Sequence, residues 1–315
     1  MYNPPALPVR SLPKPVRNVL DLVGNTPMVQ LSGIHENIFA KLEFLNPGGS
    51  VKDRIGIGMI AKAERDGLLK KGGTIIEPTA GNTGIGLALA GTRMGYRVIL
   101  CVPEHFSTEK REVMKALGGE VVLTPKDDGM RGAIEIAEKL AAGIENSFVP
   151  QQFKNPYNSE THYETTAPEI WEQMDGRVDA FVCGCGTGGT FTGVARYLRE
   201  RNPDVYCVVV EPQGSVIGGG KAGPHEVEGI GASFLPSVLD ISLANEVIMI
   251  YDQEAFATVK RLAAEEGILG GSSSGANVAA SLQVAKRLGA GKRVVTIIPD
   301  AAERYMSKGI FTKAR

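Results

Sequence analysis

The sequence predicts an α/β fold with mostly parallel sheets. Short runs of apolar and β-branched residues alternate with helical patterns along almost the whole chain of 315 residues. Several of the short runs, such as "VYCVVV" at 205–210, lack the alternating polar residues of a half-exposed strand. Such runs are typical of strands that are covered on both faces. Three strand-to-helix junctions are also rich in glycine and hydroxyl residues, and ligands bind where such loops gather in doubly wound sheets.

The individual elements follow from these two kinds of pattern in chain order. Strands are predicted at the short apolar runs "IFAKLE" (38–43), "TIIE" (74–77), "RVILCV" (97–102), "EVVLT" (120–124), "VDAFVC" (178–183), "VYCVVV" (205–210), "EVIMI" (246–250) and "RVVTII" (293–298). Helices are predicted at the longer periodic segments near 53–66, 83–94, 108–117, 129–142, 190–201, 254–266 and 274–287. No internal repeat or low-complexity linker interrupts the alternation.

Composition and charge exclude several classes of function. A formal net charge of -1 and a pI near 6.5 give no general attraction for nucleic acid or for an anionic membrane. No apolar run approaches the roughly 20 residues that cross a bilayer. The Pro-rich, basic start of the chain lacks the apolar core of a secretory signal, so we expect a cytoplasmic protein. The prolines of Pro4–Pro15 favour an extended arm on the surface or against a second subunit.

The four cysteines are expected to be buried free thiols. Cys101, Cys183 and Cys207 lie in or beside β-branched apolar runs, where thiols pack as small apolar groups. Cys183 and Cys185 form a C-x-C pair, but zinc sites usually use wider spacings and a second pair of ligands. The four histidines are scattered, so the sequence predicts no metal site.

The stretch "FVCGCGTGGTFTG" at 181–193 allows two interpretations as a ligand loop. Gly184, Gly186 and Gly189 spell the dinucleotide fingerprint G-x-G-x-x-G, and Glu211 supplies the acidic residue at the end of the next strand. The run "GTGGT" could instead place backbone amides around a single phosphate at a helix N-terminus. The dinucleotide interpretation leaves the other two glycine-rich loops without a function.

Two further stretches place chemical groups at the starts of helices. Lys52 of "NPGGSVKDRIG" (46–56) lies in a first helical turn, where the helix dipole disfavours a positive charge. It is therefore either an amine of lowered pKa that suits a Schiff base or a solvated surface lysine. The stretch "TAGNTG" (79–84) can bind an anion such as a substrate carboxylate, and it can equally cap its helix through Asn82 or Thr83.

The lysine, the asparagine loop, the phosphate loop and the serine loop "GILGGSSSGAN" (267–277) together resemble one family. They resemble the pyridoxal-phosphate enzymes of the β family (fold type II), and within it the cysteine synthase and cystathionine β-synthase group. The likeness runs from "LVGNTPMVQL" (22–31) to "IIPDAAERYMSKGIF" (297–311). It implies two three-layer α/β/α domains with mostly parallel sheets, as in tryptophan synthase β.

The resemblance also implies a division of the chain, a cofactor and partners. Residues 47–152 would form a smaller, mobile domain with the substrate loops, whereas 1–46 and 153–315 would form a larger domain that anchors the cofactor. The implied cofactor is pyridoxal 5'-phosphate, and the implied partners are small amino-acid and thiol substrates. The implied assembly is a homodimer.

Individual roles carry over by the same resemblance. Lys52 matches the lysine that forms the Schiff base and removes the α-proton, and Asn82 matches the residue that hydrogen-bonds the ring hydroxyl of the cofactor. Ser273 matches the serine that faces the pyridine nitrogen. The phosphate cup is matched by Gly186, Thr187, Gly188, Gly189 and Thr190. The implied substrate-binding residues are Thr79, Ala80, Gly81, Thr83, Gln152, Glu228, Gly229 and Gly231.

Three stretches favour one branch of the family. "STEK" (107–110), "HYETTA" (162–167) and "EVEGIGASFLPSVLD" (226–240) resemble cystathionine β-synthases, whereas a cysteine synthase would carry Gln at position 228. We therefore expect cystathionine to form from O-acetylserine or serine and homocysteine. A cysteine synthase that uses sulfide, with release of sulfide from cysteine, is the alternative within the family. Ala80 stands where serine is usual, which leaves the choice between serine and O-acetylserine open.

Two alternatives lie outside this family. One is a nicotinamide-dependent oxidoreductase that uses the G-x-G-x-x-G and Glu211. The other is a catalytically inactive binding module. The absorption spectrum of the purified protein and a turnover assay distinguish both alternatives from a pyridoxal-phosphate enzyme.

Overall fold

A computed structural model describes residues 14–79 and 81–312 of the chain. Two parts of the sequence-based predictions fall outside these residues, namely most of the arm predicted at Pro4–Pro15 and the substrate-loop residue Ala80. The described strands are β1 (Met28–Gln30), β2 (Ile38–Leu42), β3 (Thr74–Pro78), β4 (Arg97–Pro103), β5 (Glu120–Thr124), β6 (Ser147–Phe148), β7 (Ala180–Gly184), β8 (Tyr206–Pro212), β9 (Glu246–Ile250) and β10 (Val294–Ile298). The described α-helices are α1 (Lys52–Arg65), α2 (Asn82–Arg93), α3 (Thr108–Ala116), α4 (Gly129–Gly143), α5 (Tyr157–Glu164), α6 (Thr166–Gln173), α7 (Gly189–Arg201), α8 (Asp252–Glu266) and α9 (Ser272–Leu288).

The strands form two sheets, one of six strands in the order β1-β2-β10-β7-β8-β9 and one of four in the order β5-β4-β3-β6. All neighbouring strands are parallel except β1, which pairs antiparallel with β2 at one edge. The α/β fold with mostly parallel sheets is therefore confirmed. The four-stranded sheet lies within residues 47–152, but the mobility and the exact boundaries of two domains stay predictions.

Helices cover both faces of the six-stranded sheet because successive side chains of its strands point to opposite sides. On one face, Val182 of β7 lies in a buried apolar cluster with Val278 of α9 and with residues of α8. On the other face, its neighbour Phe181 packs in a second cluster with Phe191 of α7 and with residues of α6. Burial on both faces explains why these strands read as continuous apolar runs.

The four-stranded sheet is covered in the same way. Val98 of β4 packs with Ile55 of α1 and with residues of α2, whereas the next residue, Ile99, packs with Ala133 of α4 on the opposite face. Each sheet is thus the middle layer of an α/β/α sandwich, as the resemblance implied.

All predicted strands and helices are present, with ends that differ by a residue or two, and four elements were missed. Strands β1 and β6 are too short to show a pattern. Helices α5 and α6 were missed, and α5 gave no apolar period because its buried residues are the polar Asn158, Ser159, Thr161 and His162. This helix is closely wedged between α1 and α7, since a Cβ on Gly58 would collide with Thr161 and a Cβ on Gly193 would collide with the carbonyl of Ser159.

Within the described ranges, no helix combines the length and the apolar character that crossing a membrane requires.

Candidate active site

A cavity of about 620 Å³ is lined in part by the loops that follow β3, β7 and β10. Its position at the carboxyl ends of parallel strands is the one expected for a ligand site. Most of the predicted site residues line it, namely Lys52, Thr79, Gly81, Asn82, Thr83, Gln152, Gly186, Thr187, Glu228, Gly229, Gly231 and Ser273. The remaining described residues of the predicted phosphate cup, Gly188, Gly189 and Thr190, continue the same loop into α7.

Lys52 is the first residue of α1, and its backbone amide donates a hydrogen bond of 3.2 Å to Ser50 Oγ. Burial lowers the pKa of its side chain, an effect that nearby Cys183 and Asp300 partly offset. Within the part of the chain that the structure describes, its Nζ has no hydrogen-bond or ion-pair partner. A buried amine of lowered pKa can act as a nucleophile and as a base, which fits the functional interpretation rather than that of a surface lysine.

The helices that carry Lys52 and Asn82 touch through their backbones. A Cβ on Gly86 of α2 would lie 2.5 Å from the carbonyl oxygen of Lys52, and a Cβ on Gly56 of α1 would collide with the carbonyl of Gly86. These glycines allow α1 and α2 to approach each other closely at the cavity. The side chains of Lys52 and Asn82 therefore start from adjacent helical turns.

Asn82 is held by groups at the end of β10. Its Nδ2 donates a hydrogen bond of 2.6 Å to Asp300 Oδ2, and its Oδ1 accepts one from the guanidinium of Arg304. The hydroxyl of Tyr305 donates to the same Asp300 oxygen. Burial raises the pKa of Asp300, whose Oδ1 is buried without a partner among the described residues. The side chain of Asn82 therefore has a fixed orientation on the cavity wall.

The loop after β3 (79–83) and the turn after β6 are joined by side chains. Thr83 Oγ1 donates a hydrogen bond of 2.6 Å to Gln152 Oε1. Glu77 of β3 accepts hydrogen bonds from the backbone amides of Gln151 at 2.9 Å and Gln152 at 3.2 Å. Gln151 has the left-handed φ of 51°, an unusual backbone that these bonds help to hold. Burial raises the pKa of Glu77 to about 7.

The glycine-rich loop after β7 ends at the N-terminus of α7, and α5 supports it from behind. Gly188 has a φ of 85°, which allows the loop to turn into the helix. Asn158 Nδ2 donates a hydrogen bond of 3.0 Å to Thr187 Oγ1, and Thr190 Oγ1 lies 3.2 Å from His162 Nε2. Backbone amides at such a helix start favour a bound anion.

One wall of the cavity carries three charged side chains, Lys110 of α3, Glu228, and Lys308 of the 3₁₀ segment Ala302–Lys308. We call this group the charged cluster. Lys110 Nζ lies 3.0 Å from Glu228 Oε2, and Lys308 Nζ pairs with the other carboxylate oxygen. Burial alone would raise the pKa of Glu228, but the two lysines hold it below its ordinary value, so the carboxylate is ionised.

A family model described as "Pyridoxal-phosphate dependent enzyme" matches residues 19–300. The chain belongs to this family. An O-acetylserine dependent cystathionine beta-synthase from Bacillus subtilis is 49% identical over 300 residues, which cover 94% of this chain and 98% of that protein. A cysteine synthase from Staphylococcus aureus is 46% identical over 305 residues, or 95% of this chain and 98% of that one.

A solved structure is similar as well. The crystal structure of an O-acetylserine dependent cystathionine beta-synthase from Helicobacter pylori matches with a TM-score of 0.89 and 46% identity, covering 94% of this chain and 99% of that chain. The predicted family and fold type are thereby confirmed, and the chain is a pyridoxal-phosphate dependent enzyme.

The residues of the cavity fit pyridoxal phosphate. Lys52 supplies a buried primary amine, and the loop before α7 supplies amides for a phosphate. Glycine leaves room for the ring, since a Cβ on Gly81 would meet nothing within 4 Å and one on Gly229 would have Ser273 Oγ, at 3.9 Å, as its nearest neighbour. A cofactor with an aldehyde, an anionic phosphate and a flat ring matches this set of groups.

The dinucleotide interpretation of the loop fails at Glu211. Its carboxylate accepts hydrogen bonds from the backbone amides of Ile217 at 3.0 Å and Gly218 at 3.1 Å, so it is engaged within the protein and buried. Cys183 and Cys185 are buried free thiols in the apolar cluster under α7, as predicted. Among the described residues, no group of three or more His, Cys, Asp and Glu side chains could hold a metal ion.

Sequence reasoning missed the residues that support the site from outside the glycine-rich loops. Asp300 carried a signal, because it lies two residues after a buried strand, at the edge of the sheet where ligands bind. Arg304 and Lys110 lay inside stretches that resemble the family, but no role was inferred for either. His162 likewise opened the stretch "HYETTA" without a role being inferred for it, whereas Asn158 gave no usable signal, since its helix has no apolar period.

Proposed function

We propose that this enzyme performs a β-replacement, in which O-acetylserine or serine loses its β-substituent and homocysteine takes its place to give cystathionine. The C–O bond at the β-carbon breaks, a C–S bond forms at the same carbon, and the thiol proton leaves with acetate or hydroxide. No oxidant or reductant is needed. The observation that carries the proposal is the buried amine of Lys52 in a cavity that also contains the charged cluster. The similarity to proteins named cystathionine beta-synthase and cysteine synthase supports it.

The cofactor would be held by the residues of the three loops. Lys52 would bind its aldehyde, the loop from Gly186 to Thr190 its phosphate, and Asn82 with Ser273 its ring. When bound, pyridoxal phosphate supplies an electron sink that makes the α-C–H of an attached amino acid more acidic. Ser273 is uncharged, so this side chain would not keep the pyridine nitrogen protonated as a carboxylate in its place would. A weaker electron sink favours departure of the β-substituent over transamination.

Lys52 would move the proton. Burial lowers the pKa of its amine, which favours the neutral form that can accept a proton. It would accept the α-proton of the first substrate and return that proton to the same carbon after the thiol has added.

The α-carboxylate of the first substrate would bind to the start of α2. Thr79, Gly81, Thr83 and Gln152 line this part of the cavity, and the Thr83–Gln152 hydrogen bond of 2.6 Å holds two of them together. Backbone amides and hydroxyls at a helix N-terminus suit a carboxylate. Ala80, which belongs to the same predicted set, lies outside the described residues.

Homocysteine is favoured as the thiol because Glu228 is an ionised carboxylate on the cavity wall. An ammonium group can pair with it, and sulfide carries none. The test compares kcat/KM for homocysteine and for sulfide at saturating O-acetylserine and then at saturating serine. A higher kcat/KM with homocysteine is expected, and a large preference for sulfide would move the assignment to cysteine synthase, the function named for the Staphylococcus aureus relative.

A further inference from the structure

The charged cluster contains two cations and one anion. Lys110 and Lys308 both pair with the single carboxylate of Glu228, so two ammonium groups share one anionic partner. Two further carboxylates, those of Glu226 and Asp300, line the same cavity. The side chain of Lys110 is 5% exposed, so its charge is screened by solvent less than on an open surface. Two cations that share one carboxylate can also bind an anionic group of a ligand.

Contacts on each side hold the cluster in place. The backbone amide of Glu228 donates a hydrogen bond of 2.9 Å to Ser272 Oγ at the start of α9. Lys110 Nζ also lies 4.5 Å from the centre of the Tyr305 ring, a cation–π contact. The three charges therefore come from α3, the Glu228 loop and the segment after β10, and they meet only in the folded chain.

We infer that Lys110 and Lys308 bind the α-carboxylate of the incoming thiol amino acid while Glu228 binds its ammonium group. The inference rests on the proposed function, because it gives the second substrate a binding site of its own. The carboxylate of the first substrate is assigned to the start of α2, which leaves the lysines for the second. A zwitterion fits a group of two cations and one anion better than an uncharged or monovalent thiol does.

A set of three thiols tests the inference. Homocysteine carries both charges, mercaptobutyrate lacks the ammonium, and mercaptopropylamine lacks the carboxylate. In the pyridoxal-phosphate-loaded enzyme, Lys110→Met should lower kcat/KM for homocysteine and mercaptobutyrate by about tenfold relative to mercaptopropylamine, the effect of one charged hydrogen bond. Glu228→Gln should have the opposite effect and lower kcat/KM for mercaptopropylamine more than kcat/KM for mercaptobutyrate.

Matched variants keep the test independent of folding. Lys308→Met should act in the same direction as Lys110→Met, and its side chain is 50% exposed, so the fold tolerates the change. Lys115→Met lies on the same helix as Lys110 but pairs with Glu112 in solvent, at 54% exposure, and should leave the ratio of the thiols unchanged. The absorbance of the bound cofactor reports that each variant is loaded.

The outcomes separate this inference from the proposed function. If the wild-type enzyme uses sulfide but not homocysteine, the proposed function is wrong and the inference fails with it. If the wild-type enzyme uses homocysteine, but Lys110→Met and Lys308→Met lower kcat/KM equally for all three thiols, the lysines only hold the Glu228 loop. That result overturns the inference and leaves the proposed function intact.

Discussion

Thr83 Oγ1 donates a hydrogen bond of 2.6 Å to Gln152 Oε1, and this bond connects the start of α2 to the turn after β6. The turn is held in addition by Glu77, which lies on the strand directly before the substrate loop. Side chains from two distant parts of the chain, Glu77 and Thr83 in one and Gln152 in the other, thus fix one surface of the cavity. Because the bond joins two candidate substrate ligands, its loss should affect substrate binding before it affects folding.

The first prediction concerns this bond. Thr83→Val keeps the shape of the side chain but removes the hydroxyl, so the KM for O-acetylserine should rise by about tenfold, with a smaller change in kcat. Thr92→Val is the control on the same helix, since its hydroxyl bonds to the carbonyls of Ala88 and Leu117 instead of across the cavity. Equal KM values for wild type and Thr83→Val would show that the hydroxyl has no part in binding.

The second prediction concerns the pH dependence of stability. Burial raises the pKa of Glu77 from 4.5 to about 7, so the folded protein binds a proton that the unfolded chain releases between these values. The stabilising contribution is fully present below pH 4.5 and is lost as the pH rises through about 7. Glu77→Gln cannot titrate and should flatten the fall in the free energy of unfolding across this window. Urea unfolding at several pH values measures this free energy. The same pH dependence in wild type and Glu77→Gln would contradict the raised pKa of Glu77.

The third prediction concerns Lys52. Lys52→Ala should remove the visible absorption band of lysine-bound pyridoxal phosphate and lower β-replacement by on the order of a thousandfold or more. Lys71→Ala is the control, because that lysine is exposed and pairs with Glu64 on the surface. A colourless wild-type protein that binds NAD would contradict the assignment of the cofactor to this lysine.

The fourth prediction concerns the contact between α1 and α2. Gly86→Ala would place a Cβ 2.5 Å from the carbonyl oxygen of Lys52, so the helices must separate. The expected loss of unfolding free energy is about 1–3 kcal/mol, together with weaker binding of the cofactor. Gly143→Ala at the end of α4 is the control, since a Cβ there meets no atom within 4 Å. Thermal unfolding and cofactor titration measure both effects, and a Gly86→Ala protein as stable as Gly143→Ala would refute the argument.

The sequence predicted the parts of the fold that depend on local pattern. Strands buried on both faces, such as β8, are recognisable in the sequence as continuous apolar runs. The glycine-rich loops are recognisable because they lie between such a run and a helical pattern. Helix α5 escaped prediction because it packs through small polar residues against glycines of α1 and α7, and such packing leaves no apolar period.

The candidate site could be predicted only as far as its loops. Lys52, Asn82 and the phosphate loop carry recognisable motifs, whereas Asp300 and Lys110 gain their roles from pairing with residues far away in the chain. Asp300 follows β10 of the six-stranded sheet, whereas Asn82 follows β3 of the four-stranded sheet, so their contact joins the ends of two different sheets. Such pairings are a property of the topology, which short motifs do not specify.

The contact between Gly86 and the carbonyl of Lys52 has a consequence for how this sequence can change. The distance between the starts of the two helices is set by main-chain atoms, which every amino acid shares. A side chain at Gly56 or Gly86 would push these starts apart even if Lys52 and Asn82 themselves stayed unchanged. Part of the constraint on the geometry of the site therefore falls on two residues that have no side chain.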